Sequence, residues 1–168
     1  MKEVGCKKLI FSSSASVYGK SYLLPIDEDS ALNPESVYGQ TKLACENIIE
    51  KYCQEDFMDA IIFRYFNLSG CHKDQIFFET PQTSENLMTN LIEVAKGNRK
   101  KLTIYGGKFN TQDGSASRDY IHIVDVLDAH FSAIDLLKNI KGCEMFNLGT
   151  GKETTVLELL KVFEHSNG

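Results

Sequence analysis

Short apolar runs alternate with longer amphipathic stretches along this chain. Residues 7–12 centre on one such run and residues 60–66 on a longer one. Near-continuous apolar runs of this length are typical of strands that a parallel sheet buries on both faces. Residues 36–55 carry apolar side chains at helical spacing, behind a serine suited to cap a helix, Ser36. The pattern therefore predicts a strand, a helix and a second strand parallel to the first.

The apolar stripe of this helix is predicted to face the sheet, and it consists of Leu43, Ala44, Ile48, Ile49 and Tyr52. Beyond the second strand, periodicity predicts a helix, a short strand, a long helix, a strand and a last helix, at residues 84–96, 102–105, 123–139, 145–148 and 155–164. The helix at 84–96 is expected to be capped by Ser84 and to end at Gly97. This alternation indicates an α/β protein.

Composition and charge narrow the function. With 168 residues, 42% of them hydrophobic, the chain can bury one core. The net charge is −5 and the basic residues are scattered, which disfavours a nucleic-acid or membrane surface.

The chain has no apolar membrane span or signal core, and its five cysteines form no Cys-x-x-Cys pair. We expect reduced thiols and a cytoplasmic location. We expect no metal site, because His122 and Asp125 supply two ligands and nothing nearby in the sequence completes a zinc geometry.

Tyr38 and Lys42 are the first candidates for chemistry. They lie four residues apart near the start of the first predicted helix, so they share one face of it. A neutral phenol is a weak base, and a nearby ammonium favours the phenolate, which can accept a proton. A Tyr-x-x-x-Lys pair also arises by chance. Its context supports it, because a serine cluster follows the first strand, and the carboxyl ends of strands form ligand sites in open α/β sheets.

The Tyr38 and Lys42 pair belongs to a set of motifs along the chain. In sequence order these are the serine-rich segment 11–19, Tyr38 with Lys42, Arg64-Tyr65-Phe66-Asn67, Glu85-Asn86-Leu87-Met88, residues 113–121 and Asn147-Leu148-Gly149-Thr150-Gly151. In this order they resemble motifs of the UDP-galactose (UDP-glucose) 4-epimerases, a family within the extended short-chain dehydrogenase/reductase superfamily. The likeness covers essentially the whole chain.

The resemblance implies roles for particular residues. In the family, a tyrosine takes the proton of the sugar 4-hydroxyl as hydride passes to tightly held NAD, and the 4-keto sugar then turns over and is reduced on its other face. By this likeness Tyr38 is the base, Ser14 bonds the reacting oxygen, and Lys42 tunes Tyr38 and holds the nicotinamide ribose. The implied NAD contacts are Ser14, Tyr38, Lys42, Tyr65 and Phe66. The implied UDP-sugar contacts are Asn67, Asn86, Leu87, Thr103, Tyr105 and Arg118.

Some of these assignments compete with structural ones. Arg64, in a buried strand, is expected to be a paired structural arginine. Ser12 and Ser13 are expected to be turn residues that satisfy the backbone, while Tyr105 and Leu87 are equally compatible with core positions. For Arg118 the functional role is favoured, because a planar guanidinium suits a diphosphate.

The same resemblance separates reactions within the superfamily. Nucleotide-sugar 4,6-dehydratases carry a Thr-Asp-Glu run where this chain has Ser14-Ala15-Ser16. Without an acid and a base at positions 15 and 16, elimination of water has no evident catalyst, whereas epimerisation needs neither. Related 4-epimerases acting on UDP-uronates, UDP-pentoses or UDP-N-acetylhexosamines remain alternatives.

The resemblance also shows which family motif this sequence lacks. A family member begins with a strand, Gly-x-x-Gly-x-x-Gly and a helix, and no such motif precedes Lys7. The segment 147–151 lacks the third glycine, so it is expected to form a tight turn. We therefore expect an internal fragment with a partial Rossmann-like parallel sheet and part of a small α/β substrate lobe. Residues 1–66 would be the C-terminal part of an NAD-binding domain, to which helix 123–139 returns, and residues 67–168 an incomplete substrate-binding portion.

The predicted function is that of an NAD-dependent UDP-glucose 4-epimerase. The chain by itself is expected to be inactive and not to retain NAD, and the resemblance implies a homodimer that pairs through helix 36–55. The alternative is a non-catalytic remnant or interaction protein, in which an unpaired sheet edge pairs with another chain.

Overall fold

The structure is a computed structural model, and it describes residues 1–20, 24–72, 74 and 86–167. The chain divides into two compact units. The first comprises Met1–Phe66 and Asp125–Gly149, and the second comprises Asn67–Val124 and Thr150–Gly168.

In chain order, the strands and α-helices of the described residues are β1 (Lys8–Ser14), α1 (Val37–Gln54), β2 (Asp59–Tyr65), β3 (Asn67–Ser69), α2 (Leu87–Ala95), β4 (Ser117–Arg118), β5 (Tyr120–His122), α3 (Ile123–Leu136), β6 (Cys143–Leu148), β7 (Thr154–Thr155) and α4 (Val156–Asn167). Short 3₁₀ turns form at Lys2–Val4 and Ala15–Val17. None of the helices that the described residues form combines the length and the apolar character that a membrane crossing requires.

The first unit is built on a parallel sheet with the strand order β1-β2-β6. Ser14, the last residue of β1, lies opposite Tyr65, the last of β2, and Tyr65 lies opposite Leu148, the last of β6. The three strands therefore end level with one another. The predicted α/β fold and its parallel strand, helix, strand unit are confirmed.

The sheet has an apolar cluster on each face. One cluster contains residues of α1 and the other contains residues of α3, which from Asp125 onward belongs to the first unit. Alternate residues of β2 point to opposite faces, as a strand requires, so Ala60 and Ile62 pack in the first cluster while Ile61 and Phe63 pack in the second. The near-continuous apolar run at 60–66 is thus explained by burial on both sides.

The predicted apolar stripe of α1 is wrong in part. Ile49 is buried and Leu43 is half-buried, but the other three members, Ala44, Ile48 and Tyr52, are exposed. The buried positions of α1 are Gly39, Glu46, Ile49 and Cys53. Sequence periodicity missed this face because a charged residue and a glycine occupy it. At Gly39 an added Cβ would lie 2.6 Å from the carbonyl oxygen of Ser16, so no larger residue fits there.

In the second unit β3 pairs in parallel with β5, and β4 pairs antiparallel with β7. The helix predicted at 84–96 begins at Leu87, and its N-cap is Asn86 rather than Ser84, which lies outside the described residues. The strand predicted at 102–105 does not form a ladder with any described strand, so the prediction is wrong.

The turn after β6 brings its main-chain amides to a carboxylate within the second unit. Asp119 accepts hydrogen bonds from the backbone nitrogens of Thr150, at 2.9 Å, and Gly151, at 2.8 Å. Gly151 has a φ of 72°, which favours glycine. The chain bends at Gly149 and Gly151, directly after β6, with Asp119 as a partner that the sequence did not reveal.

Candidate active site

Helix α1 presents Tyr38 in its first turn. The helix starts where predicted, because the side chain of Ser36 accepts a hydrogen bond of 3.0 Å from the backbone nitrogen of Gly39. Tyr38 is the second residue of the helix, and 56% of its surface is exposed. The phenol is therefore accessible to a ligand.

Lys42 lies one turn further along the same face of α1. Its ammonium nitrogen is 5.6 Å from the centre of the Tyr38 ring and 5.2 Å from that of Phe11, and it donates a hydrogen bond of 2.8 Å to the main-chain oxygen of Ser12. This bond fixes a flexible side chain between α1 and β1. The prediction that Tyr38 and Lys42 share one helical face is confirmed, and the ammonium of Lys42 lies over the ring of Tyr38.

Ser14 ends β1 and caps the 3₁₀ turn that follows. Its Oγ accepts hydrogen bonds from the backbone nitrogen of Ser16, at 3.2 Å, and from the hydroxyl of Ser16, at 3.0 Å. A hydroxyl has two acceptor positions and one donor. With both acceptor positions used, the Ser14 hydroxyl can still act as a hydrogen-bond donor.

Tyr65 is the last residue of β2, the strand next to β1, and Phe66 follows it directly. The hydroxyl of Tyr65 is 2.8 Å from that of Ser12 and 3.0 Å from Nε2 of His130. Burial raises the pKa of Tyr65, although the bond to Ser12 opposes this shift. Phe66 is half-buried, and its backbone nitrogen donates to the carbonyl of Leu148 at 3.0 Å. Ser12 is thus a strand residue with a tyrosine partner, and its assignment to a turn is wrong.

A buried ion pair joins β2 to α1 near the carboxyl end of β2. Arg64 and Glu46 have side chains that are each 1% exposed, and their closest charged atoms are 2.8 Å apart. The prediction that Arg64 is a paired structural arginine is confirmed. Ser13 is also a strand residue rather than a turn residue, because it lies in β1 opposite Arg64, and its hydroxyl donates to Glu46. The sequence contained one signal for Glu46, since an arginine in a buried strand requires an acidic partner.

The residues predicted to hold a UDP-sugar lie in the second unit. Arg118 is exposed, and its guanidinium donates to the carbonyl of Ser117 at 2.7 Å. Asn86 caps α2 by accepting a hydrogen bond of 2.8 Å from the backbone nitrogen of Thr89. Tyr105 is 84% exposed, which excludes the core position considered for it. Of the remaining three, Leu87 is half-buried, and Asn67 and Thr103 are exposed.

Comparison with known proteins identifies the family of the chain. Residues 1–149 match the NAD dependent epimerase/dehydratase family. The chain belongs to this family. It is 46% identical to a UDP-glucose 4-epimerase of Cyamopsis tetragonoloba over 98% of its own length and 48% of that protein. It is 41% identical to the UDP-glucose 4-epimerase of Homo sapiens over 100% of its length and 49% of that protein.

Solved structures of UDP-glucose 4-epimerases share this fold. The UDP-glucose 4-epimerase of Bifidobacterium longum, crystallised with NAD⁺ and UDP, superposes with a TM-score of 0.93 at 37% identity, covering 100% of this chain and 51% of that one. That of Stenotrophomonas maltophila, with NAD and formylated UDP-arabinopyranose, gives 0.94 at 36% identity, covering 99% and 50%. The fold is therefore Rossmann-like, and the chain spans about half the length of these relatives.

Proposed function

We propose that the protein containing this chain is an NAD-dependent UDP-glucose 4-epimerase, which interconverts UDP-galactose and UDP-glucose. One observation carries the proposal: the Lys42 ammonium lies 5.6 Å from the ring of an exposed tyrosine, Tyr38, and is fixed there by its bond to Ser12. This arrangement provides a base for a sugar hydroxyl. The names of the similar proteins support the same reaction.

Tyr38 accepts the proton of the sugar 4-hydroxyl as phenolate and returns it when the carbonyl is reduced on the opposite face. Ser14 donates a hydrogen bond from its hydroxyl to the reacting oxygen, since both of its acceptor positions are occupied by Ser16. Lys42 holds a positive charge beside the phenol throughout. Tyr38 thus takes up and returns one proton, as a reaction with no net proton change requires.

The residues beside the carboxyl ends of β1 and β2 fit the nicotinamide end of NAD. When it is bound, NAD takes up and returns a hydride. Lys42 uses one of its three N–H donors on Ser12, which leaves donors for ribose hydroxyls. Phe66 offers a half-buried aromatic side chain at the end of β2, directly after Tyr65. The sequence contains no Gly-x-x-Gly-x-x-Gly, and the residues named here contact the nicotinamide end alone.

The second unit is proposed to bind the UDP-sugar, and the first to bind the cofactor. Arg118 supports this assignment, because its guanidinium is exposed and suits a diphosphate. The other proposed contacts are Asn67, Asn86, Leu87, Thr103 and Tyr105. The cytoplasm is proposed as the compartment, in keeping with five cysteines that are all free.

A homodimer through α1 is a further part of the proposal. The helix exposes Val37 and Ile48 to solvent, with 76% and 57% of their surfaces accessible. Sedimentation of the enzyme would test it, because a dimer that Ile48→Lys dissociates supports this interface, and a monomer at micromolar concentration excludes it.

Product analysis tests the reaction itself. A version of the chain extended at both ends to the length of its relatives is incubated with UDP-galactose, UDP-glucuronate or UDP-N-acetylgalactosamine, and the products are separated. Conversion of UDP-galactose to UDP-glucose supports the proposal, while preference for another sugar identifies a related 4-epimerase. Absence of any conversion by a folded enzyme that holds NAD would favour a non-catalytic role.

A further inference from the structure

The buried ion pair of the first unit, Arg64 with Glu46, connects more segments of the chain than an ordinary core contact does. Nε of Arg64 lies 3.2 and 3.3 Å from the two carboxylate oxygens of Glu46, and its Nη2 lies 2.8 Å from Oε2. The carboxylate also accepts the hydroxyl proton of Ser13 in β1. One pair of side chains therefore connects α1, β1 and β2.

The other end of the guanidinium connects three further segments. Nη1 of Arg64 donates to the hydroxyl of Tyr18 at 2.9 Å and to the carbonyl of Glu28 at 3.2 Å. Nη2 lies 3.0 Å from the sulfur of Met145 in β6. The hydroxyl of Tyr18 donates in turn to Oδ1 of Asn147, at 2.7 Å.

The loop before α1 is held by the same network of hydrogen bonds, through Asn147. The backbone nitrogen of Asn147 donates to the carboxylate of Glu28 at 2.7 Å, and its side-chain amide donates to the carbonyl of Ile26 at 3.2 Å. Residues 26 and 28 lie between Ser14 and Tyr38 in sequence. The network around Arg64 thus contacts this connection as well as the strand and the helix that it joins.

Core stability alone does not require such a network. A buried ion pair loses its hydration, and apolar residues of similar volume often stabilise a core equally well. The placement of the pair gives it another use. Glu46 lies one helical turn after Lys42, so the orientation that Glu46 imposes on α1 also sets the position of the Lys42 ammonium at Ser12.

We infer that Arg64 and Glu46 are positioning residues for the proposed epimerase, and that they hold α1 and the loop before it so that Lys42 reaches Ser12 beside Tyr38. This inference rests on the proposed function for its kinetic consequence. Its structural consequence concerns the present chain and is measurable without any reaction.

The first experiment measures the reactivity of Lys42 in the chain itself. In a double variant, Arg64→Met with Glu46→Leu, both charges are removed together, so no unpaired charge stays buried. Acetylation of Lys42 is followed by mass spectrometry and compared with that of Lys51 on the same helix. We expect Lys42 to be acetylated roughly fivefold faster in the folded double variant, the scale of one lost hydrogen bond. An unchanged ratio of the two rates would overturn the inference.

The second experiment measures kinetics in the version extended to the length of its relatives. We expect the double variant to lower kcat by about tenfold or more and to change KM by less than about threefold, because substrate contacts stay in place while the base is misplaced. Glu50→Gln, one turn further along α1, is the control and should keep the parent kcat. A folded double variant with the parent kcat contradicts the inference.

A third variant tests the inference if the double variant does not fold. Tyr18→Phe keeps the ion pair and removes the hydroxyl that joins Arg64 to Asn147. We expect a smaller change of both readouts in the same direction, and parent values of both would again overturn the inference. If the unsubstituted enzyme has no epimerase activity, the proposed function fails, while the acetylation ratio still decides whether the pair positions Lys42.

Discussion

Nε2 of His130 in α3 lies 3.0 Å from the hydroxyl of Tyr65, the last residue of β2. Nδ1 of the same ring is 2.8 Å from the carbonyl oxygen of Val126, which can only accept, so Nδ1 carries a proton. The hydroxyl of Ser12 is the second partner of Tyr65, at 2.8 Å. A chain of polar groups thus joins α3 to β1 through a half-buried phenol.

Tyr65→Phe is predicted to destabilise the chain by about 1–2 kcal/mol at pH 7, because Ser12 and His130 both lose a partner. A second effect is expected in alkali. Since burial raises the pKa of Tyr65, the unfolded chain ionises first, and stability falls as the pH rises beyond about 10, the ordinary value. The variant should lose less stability than the parent between about pH 9 and 11.

Urea unfolding over this pH range provides the measurement. Tyr52→Phe, on α1, is the control, since Tyr52 lies on the exposed side of its helix. Equal alkaline losses in the Tyr65→Phe variant and the parent would refute the assigned cause.

Tyr38→Phe is predicted to lower kcat of the extended enzyme by about 100-fold or more, the scale of a lost general base. The substitution removes one oxygen from an exposed side chain and should leave the unfolding curve unchanged. Initial rates with UDP-galactose provide the measurement, and Tyr52→Phe again serves as the matched control. An enzyme that works as well with phenylalanine at position 38 would remove Tyr38 from the mechanism.

Acid stability is predicted to depend on Asp59. A hydrogen bond from Lys8 and one from the backbone nitrogen of Gly142 hold the pKa of this carboxyl below its ordinary value. A lowered pKa contributes stability above the unfolded value, near 4, and this contribution is lost as the pH falls through the folded value. Asp59→Asn should therefore lose less stability than the parent between about pH 5 and 2.

Chemical denaturation at a series of pH values measures this loss. The exposed Asp29 provides a control of the same residue type, and Asp29→Asn should follow the parent. The prediction fails if Asp59→Asn and the parent lose stability in parallel.

The five cysteines are predicted to react in two classes. Cys6, Cys45 and Cys71 are exposed, whereas Cys53 is buried and Cys143 is half-buried beside it. Burial, reinforced by the charges and the thiol nearby, raises the pKa of Cys143 to about 12. At pH 8 a thiol reagent should label three residues rapidly and the other two after unfolding, since the thiolate is the reacting form. Rapid labelling of Cys143 in the folded chain would contradict this assignment.

The sequence by itself determined the α/β class, the parallel strands, the start of α1 at Ser36 and the shared face of Tyr38 and Lys42. These features follow from short-range rules: apolar runs indicate buried strands, a serine caps the helix that follows it, and a spacing of four residues places side chains on one face. The tertiary structure decided which face of α1 is buried and which residues support the candidate site. The partner of Arg64 is Glu46, which lies on the buried face of α1 that sequence periodicity missed. The partner of Tyr65 on α3 is His130. Pairs so distant in the chain follow from how helices and strands pack, because a polar group is buried only where another element supplies its partner.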